Sequence, residues 1–199
     1  MEQIILKEEL EGLKKIEGKI KGVGLKDILE FILKEEGKEG LKKLEDTMVT
    51  LGYSLRHRDI KGMSFYPLTL FAMLFLIIKK LFNYDRKKFQ EMGRFCSKSS
   101  MIIRLYMKYL VSVDKVVKEA QAMYRKYFTV GIVKIVEYSK EKKYIIGRGK
   151  ENNIHPAHCQ YLEGYFASLI EMVTKSSVTC KETKCTFKGD PYHEFLMKW

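Results

Sequence analysis

Apolar residues recur at helical spacing through the first two thirds of the chain, between residues that favour helix ends. The spacing predicts helices over 1–21, 25–36, 38–51, 68–78, 85–96, 101–111 and 114–127. Gly37 and Gly52 follow two of these helices, and glycine readily takes the left-handed conformation that ends a helix. Asp85 and Asp114 are placed to cap two others, because an aspartate side chain accepts hydrogen bonds from free backbone N–H groups.

The hydrophobic period changes near Thr129, where β-branched residues alternate with polar ones up to Ser139. After a short charged turn, Lys143 to Arg148 completes a β-hairpin. A helix that opens at Pro156 then precedes a strand at 177–182 and a second, final hairpin.

Helices followed by strands in this order predict an α+β fold. We expect the helical N-terminal two thirds to pack on a small antiparallel sheet formed by residues about 129–148 and 177–199. The length of 199 residues suits one α+β domain over 22–199, preceded by an N-terminal amphipathic helix over 1–21.

The most apolar segment runs from Leu68 to Ile78, where Thr69 is the one polar residue. It is too short to cross a bilayer, which takes about 20 residues. We therefore expect a helix in the centre of the fold, and we keep open that it forms one wall of an apolar ligand cavity.

The composition sets limits on partners. There are 37 basic and 25 acidic residues, a formal net charge of +12, yet lysine and glutamate are interleaved along most helices, as on a solvated surface. No nucleic-acid-binding motif accompanies the charge, so we expect no direct binding of nucleic acid. The N-terminal ten residues are polar and acidic and do not resemble a signal peptide, which favours a cytoplasmic protein.

The last forty-odd residues carry the candidate chemistry, with Cys159, Glu182, Cys185 and His193 as potential metal ligands. The turn signal around Gly189 places Cys185 and His193 equally far from the bend, where cross-strand side chains lie about 5 Å apart. Cys159 falls in the first turn of the helix that opens at Pro156, and a helix N-terminus favours the thiolate. Such a set suits a structural, tetrahedral zinc ion with no open position.

Other interpretations of these residues remain open. Cys180 in place of Glu182 gives three thiolates and one imidazole. Free cysteines often only pack in a core, and Glu182 and His193 suit a solvated strand equally well. His155 and His158 flank Cys159 and are available for helix capping, for a metal, or as an axial haem ligand.

The motif C-x4-G-x-F from Cys159 and the motif E-x2-C-x7-H from Glu182 to His193 resemble the C-terminal half of 4-vinyl reductase domains. They are similar above all to the sensor domains of phenol-responsive transcription activators. The resemblance places the metal ligands on Cys159, Glu182, Cys185 and His193, the last being cysteine in the family pattern. It covers the last third of the chain, and it extends more distantly to TRAPP-type vesicle-tethering subunits and to haem-nitric-oxide-binding folds.

The resemblance implies a non-catalytic sensor that binds a small hydrophobic or aromatic molecule. We expect a homodimer that reports to a separate signalling or transcription partner. The residues chosen as candidates for the pocket lining are Tyr106, Phe128, Tyr138 and Tyr144. Alternatives are a dimeric scaffold protein of TRAPP-like fold, a haem-based gas sensor, and a true reductase. Because the chain lacks the usual nucleotide-binding and hydrolase motifs, we expect no enzyme.

Overall fold

The computed structural model describes residues 7–109, 112–150 and 153–199 and has seven α-helices and six β-strands within them. The helices are α1 Lys7–Lys14, α2 Gly22–Thr50, α3 Leu68–Phe82, α4 Arg86–Ser99, α5 Met101–Tyr109, α6 Val113–Tyr127 and α7 Pro156–Thr174. The strands are β1 Lys19–Lys21, β2 Phe65–Pro67, β3 Ile132–Ser139, β4 Tyr144–Lys150, β5 Thr179–Lys184 and β6 His193–Lys198.

The strands form two antiparallel sheets. A short ribbon pairs β1 with β2, and the main sheet has the order β3-β4-β6-β5. The last strand of the chain thus lies between β4 and β5, with Ile146 opposite Leu196 and Lys181 opposite Leu196 on its other side. This confirms the predicted α+β fold and the two segments that build its sheet.

The predicted apolar segment forms helix α3, and it is buried almost all round. Phe75, Leu74 and Ile78 have no exposed surface, and nine residues of the helix are buried. They pack against α2 and α4 in a large helical core. Burying one such side chain contributes about 1.5–3 kcal/mol, so this helix contributes strongly to the stability of the N-terminal part.

A second, smaller core lies between α7 and the main sheet. It joins Ile170 of α7 to Ile145, Phe195 and Met197 of the strands β4 and β6. These strands alternate buried and partly exposed residues, as expected of a sheet with one covered face. Helix α7 therefore touches both cores, since its residues Ala157 and Tyr161 belong to the helical one.

Helices α4 and α7 cross with their backbones in contact. A Cβ atom added to Gly164 would lie 1.9 Å from the carbonyl oxygen of Gln90, and one added to Gly93 would lie 2.0 Å from that of Tyr161. Only glycine fits at these two positions. The crossing anchors the first turn of α7, which carries Cys159.

The predicted N-terminal helix over 1–21 is wrong in its C-terminal half. Within the described residues the helix ends at Lys14, and residues 19–21 form strand β1. Gly18 has a φ of +94°, which turns the chain between the two elements. Pairing with β2 satisfies the backbone of Ile20 and outweighs its helical spacing; residues 1–6 lie outside the described part.

Two other helix boundaries differ from the prediction. Gly22 opens α2 rather than interrupting the pattern, and an added Cβ there would lie 2.4 Å from the carbonyl oxygen of Lys61. Gly37, with a φ of 70° and a ψ of -172°, is not helical, so α2 is two helical segments joined by a kink at the glycine, as predicted. The N-cap of α6 is Ser112, not Asp114, which lies in the first turn. The predicted Asp85 cap is confirmed by its bond from the Lys88 N–H.

No helix among the described residues combines the length and the apolarity that crossing a membrane requires. The segment around α3 is buried by the protein itself.

Candidate functional site

A largely apolar cavity of about 190 Å³ lies between α6, α7 and the main sheet, where the two cores meet. Helix α6 contributes Val117 and Ala120, α7 contributes Leu162, and Phe71 of α3 closes one side. On the central strand β4 the lining residue Gly147 has no side chain, which leaves space beside Ile135. Such an apolar, partly enclosed space is typical of small-molecule sites.

Phe128 lines this cavity, as predicted for the ligand pocket. The described lining does not include Tyr106, Tyr138 or Tyr144. The two strand tyrosines lie on opposite faces of the sheet. Tyr144 lies on the outer face and donates to Glu137, whereas Tyr138 pairs with the buried Ile145 on the covered face, and its hydroxyl donates to Asp114. Tyr106 accepts a hydrogen bond from Lys126. These polar partners lie outside the cavity lining, so the aromatic type of the residue did not predict the lining.

The four predicted metal ligands meet at the N-terminal end of α7. The ligand atoms of Cys159, Glu182, Cys185 and His193 all lie within 4.8 Å of one another, and three of the four residues are buried. Cys180 lies outside this set, which decides between the two ligand sets that the sequence left open. In the structure Lys184 lies opposite Glu194, which is the register that the predicted bend at Gly189 implies, and Cys185 follows directly, where a 3₁₀ turn begins.

Two distances within the cluster are close to the edges of a zinc tetrahedron. The sulfurs of Cys159 and Cys185 are 4.0 Å apart, and Cys159 Sγ lies 3.6 Å from His193 Nδ1. Ligands bound to tetrahedral zinc at about 2.3 Å for sulfur and about 2.0 Å for nitrogen are separated by roughly 3.8 and 3.6 Å. The distance of 2.9 Å between His193 Nδ1 and Glu182 Oε1 is that of a hydrogen bond, and an ion between them would widen it.

A hydrogen-bond chain orients the imidazole ring of His193. The Nε2 atom lies 2.7 Å from Thr186 Oγ1, and that hydroxyl donates to Asn153 Oδ1, also at 2.7 Å. Since the hydroxyl proton is directed at Asn153, the Thr186 oxygen accepts from Nε2–H. Nδ1 faces the cluster: when protonated it donates to Glu182 at 2.9 Å, and loss of that proton would leave its lone pair for a metal ion.

The electrostatics of the cluster favour a cation. Burial raises the pKa of the Cys159 and Cys185 thiols, and the nearby Glu182 carboxylate raises both further. For Glu182 itself burial acts to raise the pKa, but hydrogen bonds from His193 and the two thiols outweigh burial and lower it. A bound metal ion would reverse the effect on the thiols and stabilise them as thiolates.

Glu163 is a positioning residue that the sequence reasoning missed. Its side chain is 1% exposed, and its carboxylate accepts from Arg86, from Gln90 at 2.8 Å and from the backbone N–H of Glu182 at 2.8 Å. It thereby ties strand β5 to α7 next to the metal cluster. The sequence signal that could have revealed Glu163 is its position directly after Leu162, an apolar residue on the inner side of the predicted helix.

Comparisons with known proteins were made for sequence and for structure. No family model and no curated protein sequence matches the chain. An H-NOX protein from S. oneidensis, solved in the Fe(II)NO ligation state, is 10% identical, with 90% of this chain and 98% of that chain covered and a TM-score of 0.68. The Fe(II) unliganded H-NOX protein from K. algicida is 12% identical, with 90% and 96% covered and a TM-score of 0.66.

A trafficking protein particle complex subunit 3 from Naegleria fowleri, covalently bound to palmitic acid, has a TM-score of 0.48 over 65% of this chain. That likeness is too low to support an argument. At these identities the likeness to H-NOX proteins shows the fold alone. No comparison shows the predicted resemblance to 4-vinyl reductase domains, and the structural likeness is to the haem-nitric-oxide-binding fold, which was the more distant expectation.

One similar structure concerns a haem redox potential, which raises the question of whether the residues that line this cavity have the ligand, space and charges for haem. His193 has both ring nitrogens engaged. His158 has a buried Nε2 atom without a hydrogen-bond partner, and burial lowers its pKa to about 3, so the imidazole is neutral. Its ring is nevertheless packed between Tyr161, Phe71 and Phe75 at centroid distances of 5.2–5.9 Å.

The cavity also lacks the space and the charges that haem requires. Its 190 Å³ is below the roughly 300–1,000 Å³ of sites for drug-sized ligands. Arg148 is the one lysine or arginine among the described lining residues, and it is paired with Glu194 at 2.7 Å. The carboxylates of haem would have no free partner there. These residues therefore do not fit haem in the arrangement observed.

Proposed function

We propose that the chain is a non-catalytic sensor domain that binds a small apolar molecule in the cavity between α6, α7 and the main sheet. The observation that carries the proposal is the cavity itself, apolar and placed between two separate hydrophobic cores. A dry apolar cavity of about 150 Å³ is enough to bind benzene in other proteins, and this one has about 190 Å³.

A structural zinc ion on Cys159, Glu182, Cys185 and His193 is part of the proposal. The ion would hold the start of α7 to the last hairpin and so keep one wall of the cavity in place. Four protein ligands leave no open position for a reacting water, which supports a structural role and a domain without catalysis.

Helix α6 is the wall that we expect to move with the ligand. Whereas α4 meets α7 backbone to backbone, α6 lies across the cavity, and Tyr127 at its end has a buried hydroxyl without a hydrogen-bond partner among the described residues. A ligand would add the contacts that this helix lacks. The ordered helix would then report occupancy to a second copy or to a separate signalling partner.

The first experiment measures binding of toluene by the full chain through thermal shift and through hydrogen exchange of α6. Ala120→Phe fills the cavity, and Ala122→Phe adds the same ring on the exposed side of the same helix. We expect toluene to raise the melting temperature and slow exchange in the parent and in Ala122→Phe, and to do neither in Ala120→Phe. Toluene without effect on the parent, or with equal effect on all three chains, would contradict the proposal.

A haem-based gas sensor is the second candidate, and the fold favours it. The same preparations are mixed with ferric haem, and the absorption spectrum is recorded. Because the cavity lining does not fit haem, we expect no Soret band. A band that disappears in His158→Ala and persists in His57→Ala would instead select the haem sensor, since His57 lies by Glu30, away from the cavity.

A further inference from the structure

One end of the cavity has a polar corner made by Asp27 of α2, Ser100 at the end of α4 and Tyr127 of α6. Asp27 and Tyr127 line the cavity, and Ser100 is buried beside them with 2% of its surface exposed. The hydroxyl oxygens of Ser100 and Tyr127 are buried, and the Ser100 hydroxyl lies near both the Asp27 carboxyl and the Tyr127 hydroxyl without a well-formed hydrogen bond to either. Leaving such groups unsatisfied is costly, so a ligand that pairs with them gains affinity.

The polar corner carries a carboxyl group that no cation of the described cavity lining balances. Arg148, the one lysine or arginine in the described lining, is held by Glu194 at 2.7 Å and lies over the ring of Tyr192 at 4.4 Å. Burial, together with the neighbouring Glu30, raises the pKa of Asp27 to about 7, and the Ser100 hydroxyl and Lys26, which lies outside the lining, oppose this only in part. A positive group brought to this corner would remove the cost of ionising the carboxyl.

We propose that the ligand of the cavity is an apolar molecule with a single ammonium head, bound by the Asp27 carboxylate and by Tyr127 Oη. Ser100 is the positioning residue, because its buried hydroxyl lies against the carboxyl group. The apolar lining takes the body of the ligand. This inference rests on the proposed function and specifies the class of molecule that the same cavity accepts.

An ammonium group fits the polar corner better than a hydroxyl group does. It has three N–H donors, so it can satisfy the Asp27 carboxylate and the Tyr127 oxygen together, whereas an alcohol donates once. It also supplies the charge that the lining lacks. Hydrogen bonds between charged groups are roughly twice as strong as neutral ones. We therefore expect the cavity to bind an ammonium ligand more tightly than an alcohol or a hydrocarbon of the same shape.

Three probes of one shape test the inference by calorimetric titration of the full chain. They are propylbenzene, 2-phenylethanol and 2-phenylethylamine, which differ only in the terminal methyl, hydroxyl or ammonium group. We expect the amine to bind roughly tenfold or more tightly than the other two. Asp27→Asn should abolish this preference and still bind propylbenzene, while Asp59→Asn, which removes an exposed carboxylate, should preserve it.

Tyr127→Phe is the second variant and carries the test if Asp27→Asn does not fold. It should reduce the affinity for the amine severalfold and leave that for propylbenzene unchanged. Equal binding of amine and alcohol by the parent chain, or a preference that survives in both variants, would overturn the ammonium site. Binding of propylbenzene alone would also overturn it, yet would leave the apolar sensor intact. If none of the three probes and no toluene binds, the proposed function fails as well.

Discussion

The imidazole of His193 shows how single residues prepare the metal site. Its Nε2–H is directed to Thr186, so its Nδ1 faces Glu182 and Cys159. The two thiols are buried and neutral without a cation. A site with two thiolates, one carboxylate and one imidazole therefore depends on the ion for its charge balance.

The first prediction at this scale concerns Cys185→Ser. We expect the variant to lose bound zinc and at least about 3 kcal/mol of unfolding free energy, because the binding energy of a structural zinc ion is folding energy. Elemental analysis and denaturant unfolding measure the two effects. Cys180→Ser is the matched control on strand β5, outside the cluster. If Cys185→Ser retains one zinc per chain, the assigned ligand set is wrong.

At the scale of elements, the crossing of α4 and α7 positions the whole site. Gly164 and Gly93 allow the two backbones to touch, and Glu163 beside the crossing fixes strand β5. Gly164 belongs to the C-x4-G-x-F motif, so the structure supplies a physical reason for the glycine in that motif. Any side chain there would push α7, and Cys159 with it, away from the sheet.

Gly164→Ala is the prediction that follows from the crossing. The added methyl group meets backbone at 1.9 Å and cannot be accommodated by a rotamer change, so we expect a loss of about 2–4 kcal/mol in unfolding free energy. Gly12→Ala, in the exposed helix α1 with nothing within 4 Å, should be neutral or stabilising by up to about 1 kcal/mol. Denaturant titration compares the two. Similar stabilities for both variants would rule out the backbone contact.

At the scale of the whole molecule, two hydrophobic cores share helix α7 and leave a cavity between them. The buried histidines His155 and His158 lie near this junction. Burial, with Lys79 contributing, lowers the pKa of His155 to about 4, and burial lowers that of His158 to about 3. The neutral forms are thus the native ones, and Nδ1 of His155 accepts from the Ala157 N–H as the cap of α7.

Acidification should therefore destabilise the entire fold. Below about pH 6.5 the unfolded chain takes up protons on these imidazoles, while the folded chain does so only near pH 4 and below, so stability falls across that interval. Asp27, with its raised pKa, acts in the opposite direction and reduces the net effect. His155→Asn isolates the contribution of the cap, since asparagine caps a helix and does not titrate.

Between pH 6.5 and pH 4 we expect the parent chain to lose roughly 2–3 kcal/mol more than His155→Asn. Denaturant unfolding at several pH values measures the difference. His57→Asn, a change at a partly exposed residue far from α7, should behave as the parent does. Parallel stability curves for parent and His155→Asn would show that the imidazole cap does not titrate as described.

Much of the fold could be predicted because its signals are local. The buried run from Leu68 to Ile78, the Asp85 cap and the change of period near Thr129 each depend on neighbours within a few residues. The N-terminal helix failed beyond Lys14 because strand pairing between β1 and β2 is a contact over more than forty residues. Helical spacing cannot report such a contact.

The amino-acid sequence by itself determined the α+β order of elements and the approach of Cys185 and His193, since turn chemistry and cross-strand register place those two residues at a set spacing. Only the tertiary structure decided that Glu182 rather than Cys180 completes the cluster, because a strand face and a helix start had to be brought together. It alone revealed the cavity and the polar corner at Asp27. Empty volume and a carboxyl group in an apolar lining arise where α2, α6 and α7 meet, and no single stretch of sequence contains that junction.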